Sequence, residues 1–338
     1  MRVLIIGDSS PAHIGGHMQQ ASHHLGKAMP LMDINAAYAS PRLVKALWWH
    51  LLGHRPARLR EFSSRLVKRC TEEKPDIVLT FGLAPVSAAA LTQLRNQGVI
   101  LANFATDDPW NPEHRAPWFM QGLPLYHHVF TPRHANEPEL RALRGPAVHY
   151  LPFAYAPEIH FPAPEMDAGE RARLSSELLF IGGADADRSA VMTALQERHF
   201  NLSLWGGYWD RDPRLRPFAR GHACPEMFRK LVSCAAINLC LVRRANRDGH
   251  SMRTFELPAV GGCLLVEDTA DHRDLFGADG ECVGYFTGMD DLEQKSRTLL
   301  ARPEERARMA RAAHLRICEQ GRHTYADRLR SIIDTCRP

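Results

Sequence analysis

The chain has 338 residues, 45% apolar and 24% charged, a balance that excludes whole-chain disorder, collagen-like structure and a small disulfide-built scaffold. Lys and Arg outnumber Asp and Glu by 42 to 38, and the surplus is local: residues 1–155 carry 16 basic and 11 acidic side chains, with 11 of the 18 histidines. So small a net charge gives no case for nucleic-acid binding, whereas an acidic acceptor, a phosphorylated ligand or an anionic membrane surface stays open.

The length suits about two domains. The opening Val3–Ile6 run, closed by Gly7-Asp8, reads as a buried strand and is too short for the apolar core of a signal peptide. Further strands are predicted at Leu31–Ile34, Asp76–Phe81, Val99–Phe104, His128–Thr131 and Val148–Leu151. Helices fall between them at Gly16–Met29, Pro41–Leu52, Arg58–Glu73, Val86–Asn96 and Asn136–Leu143. Short apolar strands alternating with helices predict a mainly parallel sheet covered on both faces.

The pattern changes at Phe153–Arg173, where Pro157, Pro162, Pro164 and Gly169 mark a linker. A second alternation follows, with strands at Leu178–Ile181, Asn201–Trp205, Ile237–Val242, Cys263–Val266 and Cys282–Tyr285. Its helices are predicted at Asp187–Arg198, Glu226–Cys234, Met252–Val260, Asp290–Leu300, Pro303–Glu319 and Thr324–Asp334. The fold class is therefore α/β: two Rossmann-like domains facing across a cleft, spanning residues 1–155 and 176–322, with residues 323–338 as a terminal helix turned back toward the first. Ligand chemistry is expected at the carboxyl ends of the strands.

No stretch offers the ~20 uninterrupted apolar residues of a membrane span, which places the chain in the cytoplasm. Residues 41–69 hold eight basic side chains, one acid (Glu61) and the pair Trp48-Trp49, a composition able to rest on the inner face of an anionic membrane. An amphipathic helix with Leu43, Leu47, Leu51 and Leu52 on its buried face explains most of the same apolar content. None of the eight cysteines forms a C-x-x-C pair, and Cys240, Cys263 and Cys282 lie in apolar runs as buried small side chains. With no H-E-x-x-H and no spaced His/Cys cluster, no metal ligand is assigned.

Four strand-end loops carry the candidate chemistry. The first runs from Gly7 to Gly16; it matches neither G-x-G-x-x-G nor the phosphate loop G-x-x-x-x-G-K-[ST]. Its Gly15-Gly16 pair either exposes backbone N–H groups to an anion or sugar or simply makes a tight turn, with His13 and His17 flanking it. The second holds Asp107-Asp108-Pro109-Trp110, where an acid beside an aromatic can orient sugar hydroxyls or act as a base, or can cap a solvated turn. The third, Gly182-Gly183 with Arg188, fits a strand-to-helix turn with a cation in reach of a phosphate, or a loop with a surface cation. The fourth is densest: Arg243, Arg244, Arg247 and Arg253 surround Asp248-Gly249-His250-Ser251-Met252, and Glu256 follows. Arginine forks and helix-start donors suit a diphosphate, and a carboxylate suits paired ribose hydroxyls. The plainer reading is a charged surface loop with Glu256 salt-bridged to a neighbour.

The stretch Arg244–Val266 resembles the C-terminal signature of the spore-maturation CgeB-like proteins, within the group 1 glycosyltransferases. Arg244, Asn246, Gly249, Arg253, Phe255, Glu256, Ala259 and Gly261 stand in the family's order. Leu151-Pro152-Phe153-Ala154, Phe180-Ile181-Gly182, Thr106-Asp107-Asp108-Pro109 and His323-Thr324-Tyr325 with Arg328 are also family-like, and the resemblance covers residues 150–330. It implies a GT-B fold whose second domain holds a nucleotide diphosphate sugar as donor substrate, with no cofactor and no metal, and whose first domain takes the acceptor. The diphosphate would lie at Gly249–Arg253 and the ribose at Glu256, with Arg188 and Arg244 as further phosphate contacts. Gly15, Gly16, Gly182, Gly183 and the run Asp248 to Met252 complete the candidate donor-binding set. The wider family often has an acid seven positions before the ribose glutamate; here that position is Gly249, with Asp248 beside it.

The implied reaction transfers a glycosyl group to a saccharide, lipid-linked sugar, protein or small molecule. Arg188 and Arg253 would stabilise the departing diphosphate, and Asp107 or Asp108, or alternatively His13 or His17, would serve the acceptor. Nucleotide-sugar epimerisation, and nucleotide or sugar binding without turnover, are the competing readings.

Overall fold

The computed structural model describes residues 1–41, 48 and 52–337, so most of the helix predicted at Pro41–Leu52, with Leu43, Leu47, Trp49 and Leu51, lies outside the described residues. The chain divides into two compact units. Unit 1 comprises Met1–Pro152, Ala245–Asp248 and Tyr325–Pro338, and unit 2 comprises Phe153–Arg244 and Gly249–Thr324.

Unit 1 is built on six parallel strands: β1 (Val3–Gly7), β2 (Leu31–Asp33), β3 (Ile77–Phe81), β4 (Ile100–Phe104), β5 (His128–Thr131) and β6 (Ala147–Tyr150), in the spatial order β2-β1-β3-β4-β5-β6. Every residue of β1 and β3 is buried, as the continuous apolar runs require of a sheet covered on both faces. Helix α1 (Ile14–His24) follows β1, and a short α2 (Asn35–Tyr38) follows β2. Helix α3 (Leu59–Glu73) buries Leu59, Phe62, Leu66, Val67 and Cys70 at helical spacing and ends at Lys74, which takes a left-handed φ of 47°. Helix α4 (Ala88–Asn96) is capped by Ser87, whose hydroxyl accepts from Ala90 N at 3.3 Å. Phe62, Leu66, Leu91 and Leu94 close over Leu4, Ile6, Val78, Leu101 and Val129 to form the core on one sheet face. The short helices α5 (Pro117–Gly122) and α6 (Glu137–Ala142) complete the connections.

Unit 2 opens with helix α7 (Ala168–Leu174) and has five parallel strands, β7 (Ser176–Ile181), β8 (Leu202–Trp205), β9 (Ala235–Cys240), β10 (Leu264–Glu267) and β11 (Gly284–Phe286), ordered β11-β10-β9-β7-β8. Its helices are α8 (Ala186–Glu197), α9 (Pro225–Cys234), α10 (Arg253–Val260), α11 (Ala270–Phe276), α12 (Met289–Leu300) and α13 (Pro303–His314). Leu178, Phe180, Leu204, Ile237, Leu239 and Leu265 meet Met192, Leu195 and Trp209 in its core. Pro303 starts α13, and the helix widens into a π turn over Leu315–Glu319. Helix α14 (Tyr325–Thr335) belongs to unit 1, where it lies against α1.

The stretch read as a linker begins unit 2. Phe153, Ala154, Tyr155 and Ala156 are buried, and Tyr155 N donates to His323 O at 3.0 Å. Their apolar side chains pack where the flanking prolines alone suggested solvent. Helix α11 escaped the sequence pattern because its seven residues include only two large apolar side chains, at its end; Thr269 starts it by accepting from His272 N at 3.1 Å. The last strand lies at Gly284–Phe286, slightly later than Cys282–Tyr285.

In each sheet the first crossover moves one way and the next strand joins the other side. This leaves a switch point between β1 and β3 in unit 1 and between β7 and β9 in unit 2, the places where an open parallel sheet receives ligands. At the end of β8, Gly206 has φ of +128°, and a Cβ there would stand 2.2 Å from Gly182 O. Gly206→Ala is therefore expected to lower stability by about 3 kcal/mol, read as a lower urea midpoint at unchanged slope. Gly183→Ala is the control, because the nearest atom to its added Cβ is 3.8 Å away; an equal loss there would refute the steric account.

Candidate active site

The loop after β7 is zipped to the loop after β8. Gly182 N donates to Trp205 O at 2.7 Å, Ala184 N to Gly207 O at 3.0 Å, and Trp209 Nε1 to Gly182 O at 2.8 Å. Asp185 then caps α8, its carboxylate accepting from Arg188 N at 2.9 Å. The Arg188 side chain is buried and turns back toward the strand ends. It donates to Gly183 O at 3.2 Å and Leu241 O at 3.4 Å, and stands 3.5 Å from the Asp185 carboxylate. Arg188 thus ties the end of β7 to the end of β9.

The segment after β9 brings two more guanidinium groups to the same place. Arg243 Nε lies 3.7 Å from Asp185, and Arg253 Nε donates to Ile181 O at 2.9 Å. Three arginines therefore touch the short run Ile181–Asp185. Arg244, by contrast, is 69% exposed and pairs with Glu267 at 3.3 Å, outside this group. Glu256, in the first turn of α10, is only 1% exposed; its carboxylate pairs with Arg253, and His160 Nε2 stands 3.7 Å from its other oxygen. The Arg253 guanidinium also lies over the Phe228 ring, 5.1 Å from its centre.

Asp271 packs close against Gly249: a Cβ there would stand 2.4 Å from that carboxylate and have to displace it. Asp271 accepts from His250 Nδ1 at 2.8 Å, while His250 Nε2 accepts from Phe153 N at 3.2 Å. Both ring nitrogens are thus used to fix the turn, and the imidazole packs edge-on to Phe153 and Phe255. Ser251 N donates to Thr254 Oγ1 at 3.1 Å, and Met252 leads directly into α10. Thr254 in turn meets His272 Nε2 at 3.0 Å, and His272 Nδ1 donates to Glu267 O at 2.8 Å. The start of α10 is therefore braced by two histidines that sequence reading either placed in the donor set or passed over.

Within unit 1 the adjacent acids have different fates. Asp108 is buried at 1% exposure and pairs with Arg247 at 2.6 Å, and Arg247 also reaches Glu139 at 2.6 Å. The carboxylates of Asp108 and then Glu139 raise the pKa of the Arg247 guanidinium further. Asp108 is thereby committed to an ion pair rather than open to an acceptor. Asp107 is half-buried, and Asn246 Nδ2 approaches its carboxylate at 3.4 Å. Asp248, placed by sequence in the donor set, belongs to unit 1 and pairs there with buried Arg133, which also donates to Thr106 O at 2.8 Å. His17 is buried and stacks on Tyr325 with centroids 4.9 Å apart, whereas His13 is 61% exposed, 3.9 Å from Asp8. Gly15 and Gly16 let α1 start against the preceding loop, since a Cβ on them would meet Asp8 O at 2.5 Å and Ser10 O at 2.4 Å.

Sequence reading missed His160, Arg133, Asp271 and His272. Arg133 and His272 follow soon after strands, which is a usable signal; His160 sits in the proline-rich stretch and carries none. Among the described residues no group of three or more His, Cys, Asp and Glu gathers to hold a metal ion, and no helix is long and apolar enough to cross a membrane.

A family model described as glycosyl transferase-like matches residues 188–334, which include Arg188, Arg243, Arg253 and Glu256. No curated protein sequence matches the chain. Among solved structures, sucrose-phosphate synthase from Thermosynechococcus elongatus is similar at a TM-score of 0.69 and 11% identity, covering 99% of this chain and 98% of its own. The HepE protein of Anabaena, solved with UDP, is similar at 0.65 and 12% identity, covering 99% of both chains. A Listeria monocytogenes protein provisionally assigned as a UDP-N-acetylglucosamine 2-epimerase is similar at 0.56 and 16% identity, covering 99% of this chain and 96% of its own. At these identities the likeness is one of fold: two Rossmann-like units of the GT-B class.

Burial pushes the His272 imidazole down to about 4. An unfolded-chain histidine titrates near 6.5, so below that value the unfolded chain takes up a proton that native His272 refuses. Stability is therefore full above about pH 6.5 and falls as pH drops toward 4, by up to about 3 kcal/mol from this group. His272→Gln should flatten that part of the pH dependence in urea titrations at pH 7.5 and 4.5; an unchanged slope would remove His272 from the account.

Proposed function

We propose that the protein is a glycosyltransferase that binds a nucleotide diphosphate sugar at the β7/β9 switch point of unit 2. The observation that carries this is the gathering of Arg188, Arg243 and Arg253 on Ile181–Asp185, one turn from the carboxylate of Glu256. Guanidinium forks match phosphate oxygens, and the starts of α8 and α10 add backbone donors and positive dipole ends. An ionised carboxylate accepts both O–H groups of a ribose diol. The family-model match over this segment and the UDP held by the Anabaena protein support the same reading.

In the reaction, the bond between the anomeric carbon and the diphosphate oxygen breaks and its electron pair leaves with the diphosphate. The arginines stabilise that charge while the oxygen of an acceptor hydroxyl forms the new glycosidic bond and gives its proton to a base on unit 1 or to the departing diphosphate. An incoming diphosphate competes with Glu256 for Arg253, whose side chain is 30% exposed. Releasing Arg253 turns Glu256 over to the ribose. Gly182, Gly183, Gly249 and Ser251 shape the loops around the anion, and His250 holds their geometry. For acceptor handling we assign unit 1, with Asp107 and exposed His13 as its available groups. The acceptor is a saccharide, lipid-linked sugar, protein or small molecule, and the basic residues of 41–69 suit one held at an anionic surface. Epimerisation is the second reading, favoured by the whole-length likeness to the Listeria protein.

A panel of UDP-, GDP- and ADP-sugars incubated with cell extract and read by liquid chromatography with mass spectrometry, which resolves epimers by retention, separates these outcomes. Transfer gives an acceptor heavier by one sugar residue plus free nucleoside diphosphate; epimerisation gives an isomer of unchanged mass. Glu256→Gln and Arg253→Ala should each weaken binding of the active nucleotide by tenfold or more, about 1.4 kcal/mol, by calorimetry. Failure of every nucleotide diphosphate to bind the native chain would sink the proposal.

A further inference from the structure

His160 lies in the stretch that precedes the first helix of unit 2, yet it is buried to 6% exposure and faces Glu256. Its neighbours are pinned to α9: Arg229 donates to Ile159 O at 3.0 Å and covers the Phe161 ring, 4.1 Å from its centre. The imidazole itself packs edge-on to Phe228, with centroids 5.4 Å apart, and Phe228 also underlies Arg253. Ala156 N donates to His160 Nδ1 at 3.1 Å, so the neutral ring carries its proton on Nε2. That N–H stands 3.7 Å from Glu256 Oε1, a charge–dipole contact that a small shift converts into a hydrogen bond.

Glu256 therefore has two partners of different kinds. Arg253 is a partly exposed cation within reach of an incoming anion, whereas His160 is enclosed and fixed from both sides. A carboxylate this deeply buried cannot give up its cation unless another donor remains. We infer that His160 is a positioning residue for Glu256: it holds Oε1 when Arg253 turns to the diphosphate, leaving Oε2 aimed at the ribose hydroxyls. This rests on the assignment of Glu256 to the ribose, and it adds a selectivity for ribose over deoxyribose that depends on a residue far away in sequence.

The test measures binding of UDP and GDP, each beside its 2′-deoxy counterpart, by calorimetry on the full-length chain. Native protein should prefer a ribonucleotide about tenfold, the worth of one hydrogen bond to a charged group. His160→Phe should reduce that preference to about twofold or less, whereas His160→Gln, whose amide can reach as far as Nε2, should restore most of it. A merely structural role would weaken both members of a pair alike and leave their ratio unchanged. If His160→Phe does not fold, His160→Asn replaces it, since its shorter amide withdraws the donor from Glu256. A native preference that survives in both His160→Phe and His160→Asn would overturn the role of His160 alone. A native chain that binds neither nucleotide, or that binds ribo and deoxy forms equally, would overturn the Glu256 assignment beneath it.

Discussion

Ionised side chains removed from water must be paired, and that constraint shapes the segment between β9 and α10. A stretch this long and polar cannot hold its course through backbone pairing alone. It is instead fixed by side-chain pairs in which at least one partner is nearly sealed from water: Asp248 with Arg133, Asp108 with Arg247 and Asp271 with His250, with Glu256 and Arg253 paired where α10 begins. Losing one member of such a pair costs far more than a surface ion pair is worth, because the other charge stays buried. The segment's middle, Ala245–Asp248, folds with unit 1, and its ends fold with unit 2. Its position is therefore set by Asp108, Arg133 and Asp271, residues from three separate regions of the chain.

This explains which parts were legible in the sequence. The strands were, because a parallel sheet covered on both faces demands uninterrupted apolar runs, and Val3–Gly7, Ile77–Phe81 and Ile100–Phe104 supply them. The strand-end loops were legible as well, since glycines and arginines cluster where the apolar runs stop. Individual roles were not. Asp107 and Asp108 are neighbours in sequence, yet only Asp108 is sealed by an arginine 139 positions away. Asp248 looked like part of a donor loop until its partner, Arg133, was seen 115 positions earlier. Gly249 looked like a departure from a pattern; in the fold the Asp271 carboxylate from another helix packs close against it. Burial and pairing are properties of the folded chain, and residue type alone cannot assign them.

The two histidines beside the start of α10 show how the same residue type serves different ends. His272 has both nitrogens engaged by Glu267 and Thr254, and burial keeps it neutral. His250 likewise spends one nitrogen on Asp271 and the other on Phe153 N. Neither has a lone pair or proton left for a ligand. Their contribution is rigidity: they fix the turn so that the N–H groups opening α10 and the Arg253 side chain start from defined positions. Such preorganisation lowers the ordering cost that binding would otherwise bear.

The two units share one topology and differ in what stands at its switch point. In unit 2 the β7 and β9 ends gather Arg188, Arg243 and Arg253, although residues 156–338 as a whole are nearly neutral. In unit 1 the positive charge lies elsewhere: Arg58, just before α3, and Lys68, within it, are 51% and 78% exposed. Its strand ends carry Asp8, His13 and Asp107, with Arg133 there paired to Asp248, and a Cβ on Gly82 would come within 3.7 Å of the Asp107 carboxylate. Net charge and local charge thus run in opposite directions in each unit. A ligand close to the strand ends feels the local groups most strongly, because salt screens exposed charges lying more than about 10 Å away. By that measure the basic half of the sequence presents Asp8, His13 and Asp107 at its strand ends, and the nearly neutral half presents Arg188, Arg243 and Arg253.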